Sequence, residues 1–251
     1  MLSVHIDSIS KLAQLFAYYR VYPSECYTEG TIVRILQKMY PDNHYCRDMD
    51  TFLKYQDYGR TQRGADLPWW GQDYFNGQHE KKVMIISNDS LSKDAGSIVF
   101  YTCLMQLISE KDYSGFIRSN GLTRFVSWKK AKDLIGKITG FDNVYITDAA
   151  KVYNKGSWDD GDFDIRLSRE LLNHEIDICD PELVILLGTQ PLKILGFDES
   201  YPLVVGRKVL NKNHLKFVVA PFPSNANTYN YAERKADTIR LVKGILRSIC
   251  P

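Results

Sequence analysis

The chain has 251 residues, of which 44% are hydrophobic and 25% charged, a composition typical of one large globular domain or one domain with an extension. The formal net charge of +2 does not by itself indicate nucleic-acid binding, which would have to use local basic patches. No apolar run approaches the roughly 18 residues of a membrane span, and the start of the chain lacks a signal-peptide core. We therefore expect a cytoplasmic protein without membrane contact.

The cysteines are scattered along the chain and form no C-x-x-C pair. They are Cys26, Cys46, Cys103, Cys179 and Cys250. In a chain with no sign of secretion, this pattern predicts reduced and mostly buried thiols. It also lacks the close cysteine pair that an iron–sulfur cluster would use, so we expect no metal and no cofactor.

The predicted elements begin with helices and continue as alternating strands and helices. A helix over 8–20 and a second over 29–40 precede a long irregular segment that extends to residue 80. Short continuous apolar runs then predict buried strands. These strands are expected at 82–87, 143–147, 181–188 and 215–220, and further helices at 97–110, 165–178, 189–195 and 229–249.

This alternation predicts a parallel sheet with helices on both faces. We expect a helical and irregular N-terminal extension over 1–80 and an α/β domain over 81–251. Ligands of such sheets bind beyond the carboxyl ends of the strands. The residues directly after each apolar run are therefore the candidates for function.

The four strand ends carry S-N-D-S-L at 87–91, T-D-A-A-K at 147–151, P-x-x-(apolar run)-L-G at 181–188 and F-P-S at 222–224. In this order they resemble the uracil-DNA glycosylase superfamily. Its motifs are G-Q-D-P-Y or G-x-N-P, then T-N-x-x-K, then P-x-x-(apolar run)-L-G, and finally H-P-S. The resemblance covers roughly residues 81–249. It implies a three-layer α/β/α fold around a four-stranded, mostly parallel sheet, in a monomer that binds single- or double-stranded DNA.

One stretch is similar to the first motif but lies before the first predicted strand instead of after it. Gly71-Gln72-Asp73-Tyr74 is one proline short of G-Q-D-P-Y, but it precedes the first predicted strand. The motif has to follow a strand, because that turn aims its aspartate into the pocket. We therefore interpret 71–74 as a decoy, and we expect Trp69 and Trp70 to anchor a loop in the core rather than to stack on bases.

The resemblance implies a catalytic and base-binding set. Asp89 and Asn88 are the expected catalytic residues. Asp89 fills the third position of the post-strand motif and would stabilise the sugar cation and orient a water. Phe100 or Tyr101 would stack on a base extruded from the duplex, and Asp148 would contact the edge of that base. A helix-capping role is the alternative for Asp89.

Two positions depart from the family pattern. Asp148 replaces an asparagine, and because an ionised carboxylate only accepts hydrogen bonds, uracil itself is in doubt as the substrate. The alternative is that Asp148 caps the next segment or pairs with Lys151. Phe222 replaces the histidine of H-P-S among the base-binding residues, and the loss of such a donor can cost about 10²–10³ in rate.

Further side chains are expected to hold the DNA phosphates, contacts that position a strand without reading its sequence. They are Ser90, Lys151, Ser224, Asn225 and Asn227. Ordinary turn formation is the alternative for the last three. The sequence thus predicts a monofunctional DNA glycosylase acting on uracil or a related altered base. A non-catalytic nucleic-acid-binding relative and an unrelated α/β small-molecule enzyme stay open.

Overall fold

The computed structural model describes residues 2–19, 68–76, 81–88, 104, 107, 109–121, 124–152, 163–224 and 230–249, with side chains from residue 7 onward. The helices in these ranges are α1 Leu2–Tyr19, α2 Glu110–Ser119, α3 Trp128–Ile138, α4 Ile165–Cys179, α5 Thr189–Ile194, α6 Tyr201–Val204 and α7 Tyr231–Ile249. The strands are β1 Trp69–Trp70, β2 Val83–Ser87, β3 Val144–Asp148, β4 Leu183–Leu187, β5 Val209–Lys212 and β6 Leu215–Ala220. No helix in these ranges combines the length and the apolarity that a membrane crossing requires.

The strands form one six-stranded sheet in the order β1-β3-β2-β4-β6-β5. Its four inner strands are parallel, which confirms the four predicted strands and the α/β class. The two outer strands pair antiparallel and were not predicted. β5 escapes detection because Leu210 is its only buried residue. A two-residue turn joins it to β6, with φ of 49° and 66° at Asn213 and His214, as hairpin turns require.

Three of the four inner strands are buried on both faces along their whole length. Every residue of β2, β3 and β4 is buried, as expected when helices cover a parallel sheet on both sides. The chain runs from β2 to β3 and then back past β2 to β4. Because such crossovers are right-handed, α3 and α4 lie on opposite faces, which gives the predicted three layers.

A buried polar network joins β3 to α4. Tyr145 Oη and Thr147 Oγ1 donate to Glu175 Oε1 at 2.7 and 2.8 Å. Lys151 Nζ lies 2.8 Å from Glu175 Oε2 and also donates to Thr147 Oγ1. The ring centroid of Phe16, from α1, is 4.7 Å from the same ammonium. Helix α1 therefore covers the ion pair with an aromatic face.

This network corrects one prediction. Lys151 was expected to contact a DNA phosphate, but its side chain and that of Glu175 are both 0% exposed. A buried ammonium needs a nearby counter-charge because the apolar interior does not solvate it, and Glu175 supplies that charge. Lys151 is thus a structural residue that fastens the segment after β3.

The decoy sequence lies at the opposite edge of the sheet from the strand ends. Gly71 N donates to Val144 O, in the first residue of β3, at 2.9 Å. A Cβ at Gly71 would collide with the carbonyl oxygens of Phe141 and Asp142, so the glycine serves close backbone packing. Residues 71–74 therefore cannot act at the carboxyl edge, which confirms their interpretation as a decoy.

The described parts of the N-terminal extension, residues 1–80, pack on the α/β core. Trp69 and Trp70 are 2% and 1% exposed, which confirms them as core anchors. Tyr19, in α1, donates to Glu170 Oε1 of α4 at 2.6 Å. The predicted domain boundary at residue 80 stays a prediction. The predicted helix over 29–40 lies outside the described residues, and so does most of the predicted helix over 97–110.

The buried ion pair yields a test of stability. Lys151→Met leaves Glu175 buried without its counter-charge, and we expect the free energy of unfolding to fall by about 3–5 kcal/mol. Lys151→Met/Glu175→Gln removes both charges and keeps an Oε1 acceptor, so it should recover much of that loss. Urea denaturation measures both.

The matched control is Lys11→Met, because Lys11 forms an exposed pair with Asp7 at 2.5 Å. Its cost should stay within about 1 kcal/mol. A double variant no more stable than Lys151→Met would show that an unpaired buried charge is not the cause of the loss.

Candidate functional site

The loops after β2 and β3 are joined through their backbones. Asn88 O, directly after β2, accepts from Ala149 N at 3.1 Å and from Ala150 N at 2.9 Å. Ser87 and Asp148, the last residues of the two strands, are register partners. The positions of Asn88 and Asp148 are therefore set together, at one edge of the sheet.

A third and a fourth strand end meet Asn88 at the crevice between β2 and β4. A Cβ at Gly188, directly after β4, would lie 3.1 Å from Phe222 Cβ and 3.4 Å from Asn88 Oδ1. The chain leaves β2 toward one side and reaches β4 on the other, so this crevice is the topological switch point. Open α/β sheets bind ligands at such points.

Asn88 brings an unsatisfied acceptor to this crevice. Its Oδ1 is buried and has no hydrogen-bond partner in the part of the chain that the structure describes. A buried acceptor without a partner costs about 1–3 kcal/mol, and native structures contain few of them. An N–H group of a bound ligand would satisfy this oxygen.

Asp148 ends β3 with a side chain that is 3% exposed. Tyr145 and Thr147 face α4, as their bonds to Glu175 show. Because side chains alternate along a strand, the carboxylate of Asp148 leaves the opposite face of the sheet. The ion-pair partner of Lys151 is Glu175, on α4.

Phe222 places an aromatic ring after β6. It packs edge to face on Phe125, with ring centroids 6.4 Å apart. A short turn follows, in which Ser224 N donates to Phe222 O at 2.8 Å. Lys130 Nζ, from α3, donates to Ser224 O at 3.1 Å, so a positive charge lies beside this turn.

Further contacts join α3 to α7 next to the turn that follows β6. Lys235 Nζ pairs with Asp133 Oδ2 at 2.7 Å, and Lys130 Nζ lies 5.3 Å from the ring centroid of Tyr231. Burial, followed by the charge of Asp133, raises the pKa of Tyr231 to about 12. Burial acts against the ionised form of Asp133, but hydrogen bonds from Lys137 and Lys235 outweigh it and lower the pKa of Asp133. Tyr231 therefore stays neutral and Asp133 stays ionised near neutral pH, and the pair of Asp133 with Lys235 joins the middle of α3 to the start of α7.

The structure brings four predicted site residues to one edge of the sheet: Asn88, Asp148, Phe222 and Ser224. Sequence reasoning did not single out Phe125 or Lys130 as neighbours of Phe222 and Ser224, because only the packing of α3 reveals these contacts. The predicted residues that lie outside the described ranges are Asp89, Ser90, Phe100, Tyr101, Asn225 and Asn227.

Gly188 provides a test of the crevice. Its φ of 86° and ψ of −160° belong to a region that is essentially restricted to glycine. Gly188→Ala should therefore lower the free energy of unfolding by about 1–3 kcal/mol and disturb Phe222. Gly244→Ala, in α7 with no atom within 4 Å of an added Cβ, is the matched control and should stabilise by about 0.5–1 kcal/mol. Equal stability of the two variants in urea denaturation would contradict the strained geometry.

Comparison with known proteins agrees with this architecture. The family model described as the uracil-DNA glycosylase superfamily matches residues 74–244, which include the four parallel strands and the loops after them. No curated protein matches the chain. The match begins after the decoy's Gly-Gln-Asp and covers most of the sequence. The chain therefore belongs to the uracil-DNA glycosylase superfamily.

Proposed function

We propose that the protein is a monofunctional DNA glycosylase that hydrolyses the N-glycosidic bond of a deaminated or damaged base during DNA repair. The observation that carries the proposal is the meeting of Asn88, Gly188 and Phe222 at the switch point of a sheet whose sequence matches this family. Fold membership alone does not establish chemistry. The Oδ1 of Asn88, buried in that crevice without a hydrogen-bond partner among the described residues, adds a local reason to expect a ligand there.

The proposed reaction begins with extrusion of one nucleotide from the duplex, so that its base enters the crevice. Asp89 follows Asn88 directly, and we propose that its carboxylate stabilises the cationic sugar and orients the attacking water. Phe100 or Tyr101 would stack on the base, a contact that contributes about 1–3 kcal/mol per base. Asn88 and Asp148 would contact the edge of the base.

The DNA backbone would lie along the turn after β6. We propose that Ser224, Asn225 and Asn227 hold a phosphate there and that Ser90 also contacts a DNA phosphate. Lys130 replaces Lys151 as the nearby cation, because its ammonium lies against Ser224 O rather than in the core. Such contacts position the strand and contribute most of the salt-dependent affinity.

A non-catalytic DNA-binding protein is the second candidate. The observation that favours it is Phe222, whose ring donates no hydrogen bond at the position where the family pattern has a histidine. This candidate predicts binding of DNA without formation of an abasic site. For either candidate we propose a monomer in the cytoplasm, a compartment in keeping with the buried free thiol of Cys179.

The first test is removal of the proposed catalytic carboxylate. Asp89→Asn should lower the rate of base release about 10²-fold or more, by analogy with the loss of other groups that stabilise transition-state charge. Oligonucleotides carrying altered bases, treated with alkali after incubation, report abasic sites as strand breaks. Asp142→Asn, exposed at the amino edge of the sheet, is the control and should keep full activity. Full activity of Asp89→Asn would refute its role.

The second test concerns the phosphate contact. Lys130→Ala should weaken DNA binding equally across sequences and reduce the slope of log K against log salt by about 1. Lys243→Ala, exposed in the second half of α7, is the matched control. Fluorescence anisotropy with a labelled oligonucleotide at several salt concentrations measures both. An unchanged slope for Lys130→Ala would place the DNA elsewhere.

A further inference from the structure

An exposed apolar side chain lies at the tip of the turn that precedes α3. Trp128 N donates to Phe125 O at 3.3 Å, which closes a four-residue turn with Val126 at its second position. We call residues 125–128 the α3 turn. The residue Val126 is 59% exposed. Glycine, proline and short polar residues are typical of turns because each favours the turn backbone, and a valine offers no such help. Folding alone therefore does not explain the apolar tip.

The α3 turn is attached to the candidate site at two points. The ring of Phe125 packs edge to face on Phe222, at the wall of the switch-point crevice, with ring centroids 6.4 Å apart. Lys130 Nζ, in the first turn of α3, donates to Ser224 O at 3.1 Å. Single exposed apolar side chains are common on protein surfaces. Val126 differs from such a residue in its position, because it directly follows a ring that packs against the site.

Positive charge lies on both sides of this apolar tip. Lys129 follows it and is exposed. Arg124 precedes it and pairs with Glu110 at 3.1 Å, but both side chains are about half exposed, so a phosphate can replace the carboxylate at little cost. The N-cap residue Ser127 makes no capping hydrogen bond from its side chain, so nothing from it offsets the positive end of the α3 dipole. An apolar tip between cations matches DNA, in which stacked bases lie between anionic phosphates.

We propose that Val126 enters the base stack of double-stranded DNA at the position vacated by the extruded base, and that the protein therefore prefers double-stranded to single-stranded DNA. The inference rests on the DNA binding and base extrusion of the proposed function. Extrusion leaves a gap between stacked neighbours, and DNA-distorting proteins insert apolar side chains between base steps. A single strand offers no comparable gap, because no complementary strand holds the neighbouring bases in place. Arg124 and Lys129 then meet the phosphates that flank the gap.

The test uses DNA in which the gap is already present. A fluorescently labelled oligonucleotide with one tetrahydrofuran residue, a stable abasic analogue, is used alone or annealed to its complement. Fluorescence anisotropy gives the affinity of the full-length protein for each form. We expect the wild type to bind the duplex at least about tenfold more tightly than the single strand, because only the duplex accepts the apolar side chain.

Variants at the tip separate insertion from general affinity. Val126→Ala should lower the affinity for the duplex about tenfold and that for the single strand less than about twofold. Val126→Leu keeps the apolar tip and should bind the duplex as the wild type does. The matched control is Tyr18→Ala, which removes a 79% exposed ring from α1, a helix that packs on α4 rather than on α3. It should bind both forms as the wild type does.

A second readout reports insertion directly. The fluorescence of 2-aminopurine, placed next to the tetrahydrofuran residue in the duplex, is quenched by stacking. Saturating wild-type protein should change this fluorescence, because an inserted side chain alters the stacking of the neighbouring base. Saturating Val126→Ala should not produce that change.

The possible results separate this inference from the proposed function. Equal weakening of both DNA forms by Val126→Ala, or no weakening of either, would overturn the inference and leave the glycosylase intact. Binding that depends on Val126 only in the duplex, without release of any altered base, would support the inference and refute the proposed catalysis. Binding of neither form, by protein with a cooperative melting transition, would overturn both.

Discussion

The ammonium of Lys151 is buried in the interior, and its charge is neutralised by Glu175. The position of the segment after β3, which borders the candidate site, depends on this ion pair. The ammonium lies 2.8 Å from a carboxylate oxygen of Glu175, and neither side chain is exposed. Two hydroxyl groups satisfy the other oxygen of that carboxylate, so the pair is both neutralised and hydrogen-bonded. A buried pair of this kind contributes little net stability, but the loss of one partner is costly. The pair thereby fastens residue 151, three residues after the end of β3, to α4.

The same segment is fastened at several further points. Ser168 Oγ, in α4, accepts from Lys151 N at 3.2 Å and from Val152 N at 3.1 Å. On the other side, Ala149 and Ala150 donate to the carbonyl of Asn88. A displacement of α4 would thus be transmitted through this segment to the end of β2. These contacts hold the ends of β2 and β3 in a fixed position relative to α4.

The sequence predicts the central sheet well because its strands are continuous apolar runs, which are typical of strands buried on both faces. The sequence does not predict the strand β1, because it has only two residues, or the strand β5, because only one of its residues is buried. The predicted phosphate contact of Lys151 is wrong for a different reason. A lysine after a strand is usually exposed, and its partner Glu175 comes from a helix whose packing no local pattern reveals. Phe125 and Lys130 reach the site by the same kind of long-range contact.

The direction of the strands decides what a short motif can do. Gly71-Gln72-Asp73-Tyr74 resembles a catalytic motif, yet its backbone bonds lie at the start of β3, where no switch point exists. The stretch 87–91, which contains Asn88, shares fewer residues with that motif. It follows β2, however, at the edge of the sheet where β4 and β6 also end. A parallel sheet brings the carboxyl ends of all its strands together, so residues far apart in sequence meet only there. The chemistry of the site is therefore set by the residues that follow the strands, and in this chain they are a carboxylate, an amide and a phenyl ring.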